Sequence, residues 1–247
     1  MEHTPRPLFE RYAGAISALP ESQQFSRSDL LVPQFRLAKD RNIEIYYAPL
    51  DFINTNAKIA VVGITPGWTQ MEIGFREAKA ALGKGLSASD SLQQAKGKAS
   101  FAGPMRENLL KMMDEIGLAK ALKLDSCRAL FGASRSWLHA TSAIRYPVFV
   151  KGRNYGGHSP KIESSRVLQD FVDDLLAPEL NAIPDALVVP LGACVDAVLQ
   201  SLTRHGSLDA RRCLTGFPHP SGANGHRLRK FEQSRNNLTR IVREWFS

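Results

Sequence analysis

Four short apolar runs, separated by segments of helical periodicity, constrain the fold of this chain more than any other feature. The runs lie at residues 58–63, 137–141, 186–191 and 213–217, and each one ends in turn residues. They are rich in β-forming residues and do not alternate apolar with polar side chains, which is typical of strands buried on both faces. Because strands and helices alternate along the chain, the sequence predicts an α/β fold whose parallel sheet is covered by helices on both faces.

The spacing of apolar residues places the helices between these runs. Helices are predicted over residues 105–122, 193–202 and 227–246. Another is predicted to begin at Ser159-Pro160, where a capping residue precedes a first-turn proline. The last of these helices carries most of its arginines away from its apolar stripe, as expected for a surface helix.

The length of 247 residues predicts one domain, residues 1–247, which can bury its core without disulfides or a bound metal. Residues 1–50 are interpreted as an N-terminal helical addition that also holds one strand near 43–47. Residues 79–100, rich in Gly, Ser, Lys and Ala, are expected to form an inserted lid or a flexible segment.

Cysteine usage and apolar patterning exclude several classes of protein. The three cysteines are far apart and form no CxxC pair, which excludes a disulfide framework and predicts neither a metal site nor a metal cluster. The chain has no signal-like apolar core at its start and no run of 18 apolar residues. We therefore expect a soluble, cytoplasmic, monomeric protein without a membrane partner.

The charge of the chain is concentrated in its last part. The net charge is +8, and residues 201–247 hold nine Lys or Arg but only three Asp or Glu. The first 200 residues carry 23 basic and 21 acidic residues. This asymmetry favours a polyanionic partner, nucleic acid first and a membrane surface second. The alternative is a solvated basic helix that serves only solubility.

Two loops that follow predicted strands have an unusual composition, and ligands of α/β proteins bind at such carboxyl ends of strands. In the first loop, two glycines and a proline fix a tight turn and let the backbone approach a ligand. Its residues are Gly63, Ile64, Thr65, Pro66, Gly67 and Trp68. In the second loop, residues 218–227, two prolines flank His219 and small residues follow. This loop can press against a phosphodiester chain and donate backbone N–H bonds. The Gly-rich stretch 153–158 is expected to be a surface hairpin, with a place at the pocket mouth as the alternative.

Taken together, the Gly-x-x-Pro-Gly of the first loop and the later His-Pro-Ser resemble the uracil-DNA glycosylase superfamily. Residues 100–104 resemble its Pro-Phe-x-Gly segment, and residues 141–147 resemble its Thr-Asn-x-x-x-x-Pro segment. Residues 187–194 resemble its hydrophobic strand that ends in Leu-Gly, and residues 47–50 are similar to the single-strand-selective branch. The resemblance covers roughly residues 45–240 and leaves the branch open.

The resemblance implies a three-layer α/β/α sandwich with a central four-stranded parallel sheet, and a cofactor-free DNA glycosylase that extrudes a base into a pocket. It implies that His219 donates a hydrogen bond to the departing base and that Thr65 places the attacking water. The implied base pocket consists of Gly63, Ile64, Pro66, Gly67, Trp68, Phe101 and Ser142, with Phe101 stacking on the base. The implied DNA contacts are Pro220, Ser221, Gly222, Ala223, Asn224, Arg227, Arg229 and Lys230. The alternative prediction for Phe101 and Trp68 is that they pack in the core, or for Trp68 in a lid, rather than stack on a base.

Two departures from the family pattern affect the expected substrate. Thr65 stands where the family has Asp or Asn, and a hydroxyl cannot serve as a general base near neutral pH. Ser142, or Thr141 if the register slips, stands where an Asn reads the uracil edge. A Ser there predicts a wider pocket and a modified or damaged pyrimidine as substrate rather than plain uracil. We identify no catalytic lysine motif in the sequence, and we therefore do not predict cleavage of the DNA strand. The alternatives are a catalytically inactive DNA-binding protein on the same scaffold and a nucleoside or nucleotide hydrolase.

Overall fold

The computed structural model describes residues 8–100, 104–222 and 224–247, and its fold is mixed α/β. The α-helices of these residues are α1 (Leu8–Ser17), α2 (Arg27–Leu30), α3 (Trp68–Gly83), α4 (Ala88–Ala99), α5 (Pro104–Glu115), α6 (Leu118–Ala121), α7 (Arg166–Phe171), α8 (Ala177–Asn181), α9 (Ala193–Arg204) and α10 (Arg227–Trp245). A π-helical turn, Val172–Leu176, joins α7 to α8. The strands are β1 (Arg36–Asp40), β2 (Ile43–Tyr46), β3 (Ile59–Gly63), β4 (Leu138–Ser142), β5 (Val148–Val150), β6 (Arg153–Asn154) and β7 (Leu187–Pro190).

The chain divides into two compact units, each built from three separate stretches. The first unit consists of Met1–Phe52, Thr65–Ser100 and Ile144–Gly156, as far as these residues are described. The second unit consists of Ile53–Ile64, Phe101–Ala143 and Gly157–Ser247, within the same limit. The sequence-based expectation of one domain stays a prediction.

The first unit contains an antiparallel sheet of four strands in the order β1-β2-β5-β6. The strand predicted near 43–47 is confirmed as β2. The core of this unit is aromatic: Tyr12 stacks on Tyr47 with ring centroids 4.2 Å apart, and Phe35 meets the edge of Phe75 at 4.7 Å. Large rings supply much of the apolar area that a small unit can bury.

Residues 79–100 form the end of one helix and the whole of the next in the first unit, and the expectation that they make an inserted lid or a flexible segment stays a prediction. Helix α3 continues to Gly83, and α4 begins at Ala88 after Ser87, whose hydroxyl accepts a hydrogen bond from the Asp90 amide. Ala95 and Ala99 of α4 are buried. Small residues allow α4 to pack closely, and α4 is in contact with α3.

The second unit contains a parallel sheet of three strands in the order β4-β3-β7. Three of the four predicted apolar runs form these strands. Alternate residues on one face of the sheet, including Val61, Ala140 and Val189, share a core cluster with buried residues of α5 and α10. Burial on both faces explains why these runs read as continuously apolar rather than alternating.

The predicted fourth parallel strand, residues 213–217, is not formed, and the four-stranded sheet of this protein is the antiparallel one of the first unit. Within the described part of the chain, the parallel sheet is extended here by an isolated bridge between Val188 and Cys213. The segment turns instead: the Thr215 amide donates to Cys213 O, and Gly216 has a φ of +88°. Leu214 and Phe217 are nevertheless buried, which accounts for the strand-like apolar pattern.

The helix predicted from Ser159-Pro160 begins later than expected, at Arg166. Residues 158–165 instead form an isolated bridge between His158 and Lys161 and a short 3-10 turn over Ile162–Ser164. Within the described part of the chain, no helix combines the length and the apolar character needed to cross a membrane.

Candidate functional site

In the second unit, the carboxyl ends of the parallel strands bring together Gly63 of the first loop, Ser142 and Gly192. Gly63 pairs with Ser142 across β3 and β4, and the Ala143 amide donates to Gly63 O at 2.7 Å. A Cβ built on Gly63 would stand 3.5 Å from Ser142 Oγ, so the two residues are in van der Waals contact range. This edge of a parallel sheet is where α/β proteins bind ligands.

Gly192, which follows β7, packs directly against the backbone of His219. Its φ is +91°, and a Cβ built on it would lie 2.9 Å from His219 Cβ. The Gly192 amide also donates to Phe217 O at 3.1 Å, which fixes the start of the second loop. Only glycine combines this backbone conformation with so close an approach. The sequence showed a Leu-Gly strand end here, but not that Gly192 supports His219.

One ring nitrogen of His219 accepts a hydrogen bond from the backbone of its own loop. Its Nδ1 accepts a hydrogen bond from the Ser221 amide at 3.2 Å, so in the neutral ring Nε2 carries the hydrogen. Burial lowers the pKa of His219 below the ordinary value of 6.5. The imidazole is therefore neutral near pH 7 and presents an Nε2–H donor of fixed tautomer.

The second loop is held by side chains of its own unit. Asn224 Nδ2 donates to His219 O at 3.2 Å, and Asn108 Nδ2 of α5 donates to Pro220 O at 2.9 Å. Arg227 donates to Ser221 O at 3.0 Å and to Pro220 O at 3.3 Å. Arg227 and Pro220, predicted as DNA contacts, are thus engaged inside the loop, and Pro220 is buried. Asn108 was not singled out from sequence because its partner is more than 100 positions away.

Gly157, from the Gly-rich stretch, packs closely against Cys194 and Ile64 in the second unit. Its φ is +85°, and a Cβ built on it would lie 2.7 Å from Cys194 Sγ and 3.2 Å from two atoms of Ile64. The Cys194 thiol donates to Gly157 O at 3.2 Å. The paired glycines at 156 and 157 were the available sequence signal for this close contact.

Ser142 ends β4 with only 9% of its surface exposed. Within the described part of the chain, its hydroxyl makes no side-chain hydrogen bond. A hydroxyl offers one donor and two acceptor positions, whereas an amide offers a paired donor and acceptor. Ser142 is therefore free to bond a ligand, but it cannot reproduce the two-point reading of an amide.

In the first unit, the hydroxyl of Thr65 is engaged with the backbone. Its Oγ1 donates to Tyr146 O at 2.8 Å and accepts from the Val148 amide at 3.2 Å. The one hydrogen of the hydroxyl is therefore used, and a single lone pair remains. The predicted role of Thr65 in placing water stays a prediction.

The remaining residues of the first loop begin helix α3 in the first unit. Pro66 is buried, and the Gly67 amide donates to Gln70 Oε1 at 3.0 Å. The Trp68 amide donates to Asn154 Oδ1 at 3.1 Å, and the guanidinium of Arg27 lies 5.3 Å from the centre of the Trp68 ring. Trp68 is half-buried and already has a cation–π partner, which favours its structural interpretation over stacking on a base.

Helix α10 of the second unit presents an exposed group at its first turn. Arg229 and Lys230 are exposed, and neither forms an ion pair with any residue that the structure describes. Leu228, which lies between Arg227 and Arg229, is 65% exposed, and no other large apolar side chain among the described residues is as exposed. The sequence did not predict this exposure, because the spacing of Leu228 places it on the apolar stripe of the last helix.

Two predicted site residues, Phe101 and Ala223, lie outside the described residues. Gly222 is exposed next to the tip of the second loop. Within the described ranges, no group of three or more His, Cys, Asp or Glu side chains is arranged to hold a metal ion.

Comparison with known proteins gives one informative relative. A protein of Bacillus subtilis (strain 168), "Uncharacterized protein YoxB", is 40% identical over 242 residues, which cover 97% of this chain and 94% of that protein. The chain belongs to the YoxB family. A match of this extent takes in residues of both units, so YoxB is similar to this chain as a whole. Neither a family model nor a solved structure matches the chain. The name YoxB states no reaction.

Proposed function

We propose that this YoxB-family protein is a monofunctional DNA glycosylase, which hydrolyses the N-glycosidic bond of an extruded base without a cofactor. The observation that carries the proposal is the state of His219. Its Nδ1 is occupied by the Ser221 amide, and its pKa is lowered by burial. A neutral imidazole with a fixed Nε2–H donor suits a step in which a departing base gathers negative charge.

The surroundings of His219 support this role because they keep the donor in place before the reaction. Gly192 fixes the backbone of His219 from below, and Asn224 binds its carbonyl oxygen. A donor that needs no reorganisation stabilises developing charge better than one that must first be ordered. The resemblance of the two loops to the uracil-DNA glycosylase superfamily points to the same reaction.

The substrate that we favour is a modified or damaged pyrimidine rather than plain uracil. By the resemblance, Ser142 stands at the position that reads the uracil edge in the family. Its hydroxyl is smaller than an amide and can form fewer hydrogen bonds. The site then discriminates less strongly for uracil and leaves more room beside the base. A three-layer α/β/α arrangement around the three-stranded sheet of the second unit belongs to the same proposal.

The first turn of α10 supports DNA as the partner. Arg229 and Lys230 offer exposed cations for phosphates, and Leu228 offers an apolar side chain between cations. Exposed leucines serve other DNA-binding proteins as wedges between base steps. The resemblance puts Arg227 where the family inserts a side chain into the gap that an extruded base leaves. Leu228 is a better candidate for this role, because Arg227 binds its own loop.

The test is a base-release screen by mass spectrometry over oligonucleotides that carry many modified bases, single-stranded and in duplex. Release by the wild-type chain is expected to fall about 10²–10³-fold in His219→Ala. His205→Ala changes an exposed histidine of the same unit and serves as the matched control. Release that survives His219→Ala would overturn the mechanism.

A second candidate function, DNA binding without catalysis, is favoured by Thr65. Its only hydroxyl hydrogen is used by Tyr146 O, so the residue predicted to place water is already committed to the backbone. The same screen separates the two functions. Salt-dependent DNA binding with no base released from any substrate selects the second.

A further inference from the structure

A cleft of about 670 Å³ in the second unit lies away from the candidate site. Its lining comes from residues 209–215 and from the last turns of α10. Cys213, in this lining, forms its isolated bridge with Val188 near the amino end of β7, whereas the candidate site is at the carboxyl ends of the parallel strands. The volume is in the range of pockets that bind small ligands. The cleft therefore has the size of a binding site and no role in the reaction proposed above.

The apolar part of the lining combines an aromatic ring, an aliphatic side chain and a thiol, which belong to Trp245, Ile241 and Cys213. Trp245 and Ile241 are half-buried and pack against the core cluster of the unit, and Cys213 is buried. Burial raises the pKa of the Cys213 thiol to about 12, so this group is uncharged at neutral pH. An indole ring among uncharged groups suits a ligand with a flat apolar face.

The charged groups of the lining neutralise one another. Arg211 Nη2 lies 2.7 Å from Asp209 Oδ2, and Arg240 Nη1 lies 2.5 Å from Glu244 Oε2. Two guanidinium groups and two carboxylates leave the lining without a net charge. Each cation already has its carboxylate, and an anion in the cleft would be repelled by both carboxylates. The lining therefore favours a neutral ligand.

Two neutral polar groups of the lining are available to such a ligand. Asn237 Oδ1 accepts a hydrogen bond from Arg240 Nη2 at 2.9 Å, which leaves the two N–H donors of the amide. Within the described ranges, neither Asn237 Nδ2 nor Thr215 Oγ1 is hydrogen-bonded to another residue. An amide donor and a hydroxyl, which both donates and accepts, match a molecule that carries acceptors and donors on one edge. Nucleobases combine such an edge with a flat face.

We infer that this cleft binds a neutral nucleobase, with Trp245 stacking on the ring and with Asn237 and Thr215 bonding its edge. The inference goes beyond the proposed function and does not rest on it, because it uses no residue of the candidate site. The base has two sources, a free nucleoside or a nucleotide within a strand. The second arises because Lys230 precedes Asn237 by seven residues on one face of α10, a distance of about 10 Å along the helix.

The experiment titrates the full chain with adenosine and with uridine, followed by NMR, and with a labelled single-stranded oligonucleotide, followed by fluorescence anisotropy. In Trp245→Ala, the affinity for the probe that occupies the cleft is expected to fall about 5–150-fold, as it does when a residue that stacks on a base is replaced by alanine. Trp245→Phe keeps an aromatic ring and should lose less affinity. A fall confined to the oligonucleotide assigns the cleft to a strand, and a fall for the nucleosides assigns it to free bases.

Asn237→Ala and Asn236→Ala are a matched pair that leaves the core untouched. Both asparagines are exposed and adjacent on α10, but only Asn237 lines the cleft. Asn237→Ala is expected to weaken binding about 2–12-fold, the effect of one hydrogen bond, and Asn236→Ala should bind like the wild type. The inference is overturned if the wild type binds no probe, or if Asn237→Ala and Asn236→Ala bind every probe equally. Neither outcome affects the proposed function, which base release in His219→Ala tests separately.

Discussion

Gly192 and His219 are separated by less space than a methyl group needs: a Cβ on Gly192 would lie 2.9 Å from His219 Cβ. The contact joins the end of a parallel strand to the loop that carries the proposed catalytic donor. Because the opposing atom belongs to the base of a side chain, it cannot move away without moving the loop.

Gly192→Ala is therefore expected to impair both stability and base release. With φ at +91° and ψ at 170°, the backbone of Gly192 lies in a region that is essentially restricted to glycine, so a side chain there should cost about 1–3 kcal/mol. The displaced loop should also lower the release rate. Urea unfolding and the base-release assay measure the two effects. Gly206→Ala, with a similar φ and open space, is the control and should lose stability only. Equal release rates in the two variants would contradict a role for this contact.

Base release should depend on pH through His219. Because burial lowers the pKa of His219, the ring stays neutral somewhat below pH 6.5. Activity should therefore be constant from about pH 6.5 to about pH 8, and it should decline only when the pH falls to the lowered pKa. Protonation would place a hydrogen on Nδ1, opposite the Ser221 amide. The pH–rate profile of His219→Gln, whose amide does not titrate, should lack this decline.

The same shift makes a prediction for stability. The unfolded chain binds a proton at His219 more readily than the folded chain does, so this residue's contribution to stability is present above pH 6.5 and is lost as the pH falls towards the lowered value. The difference in unfolding free energy between wild type and His219→Gln, measured in urea from pH 8 to 5, should change in that direction. A difference that stays constant with pH would contradict the lowered pKa.

The buried pair His139 and Glu179 should be important for stability. Their Nε2 and Oε1 atoms are 2.7 Å apart, and both side chains are essentially inaccessible to solvent. Glu179→Ala is expected to cost about 1–3 kcal/mol because it removes a hydrogen-bond partner of a buried ring nitrogen. Glu232→Ala breaks an exposed ion pair with Arg235 and should cost under about 1 kcal/mol. Comparable losses in the two variants, measured by urea unfolding, would rule out a special role for the buried pair.

DNA affinity should depend on Arg229 and Lys230 in a salt-dependent way. If each contacts a phosphate, changing both to Ala should reduce the slope of log K against log salt by about 2. Fluorescence anisotropy on a labelled duplex at several salt concentrations measures the slope. Arg166→Ala, which removes an exposed arginine of α7, should leave it unchanged. A slope that is the same in all three proteins would place the DNA contacts elsewhere.

Thr65 can be tested within its own unit. Thr65→Val removes the partner of the buried Val148 amide and should cost about 1–3 kcal/mol, whereas Thr65→Ser retains the hydroxyl. If the hydroxyl also places the attacking water, the rate of base release in Thr65→Val should fall by more than the fraction of unfolded protein explains. Unfolding curves and release rates on the same samples distinguish the two contributions.

The parallel strands were predictable because burial on both faces leaves a continuous apolar run. β3, β4 and β7 each fall within one residue of the predicted run at either end. Residues 213–217 share this composition, but Gly216 adopts a φ of +88° and turns the chain away from the sheet. The antiparallel sheet was missed because β2 pairs with β5, a partner about a hundred residues distant in sequence and only three residues long.

The candidate site was predictable only where the sequence itself restricts the backbone. His219 stands out between two prolines, and the glycines of the first loop mark a tight turn. The supports of His219 could not be predicted, since Gly192 and Asn108 reach the loop through tertiary contacts that no local spacing encodes. Thr65 and Arg227 were singled out from the sequence for roles that stay predictions, and their hydrogen bonds show what they bind within the chain.

The alternation of the two units along the chain has a consequence for synthesis on the ribosome. All stretches of the first unit have been made by Gly156, whereas β7 of the second unit begins only at Leu187. β3 and β4 therefore emerge long before β7, which pairs with β3 in the finished sheet. The edge of β3 that pairs with β7 has no β7 to pair with during this interval. No contiguous fragment of the chain holds all stretches of one unit without part of the other.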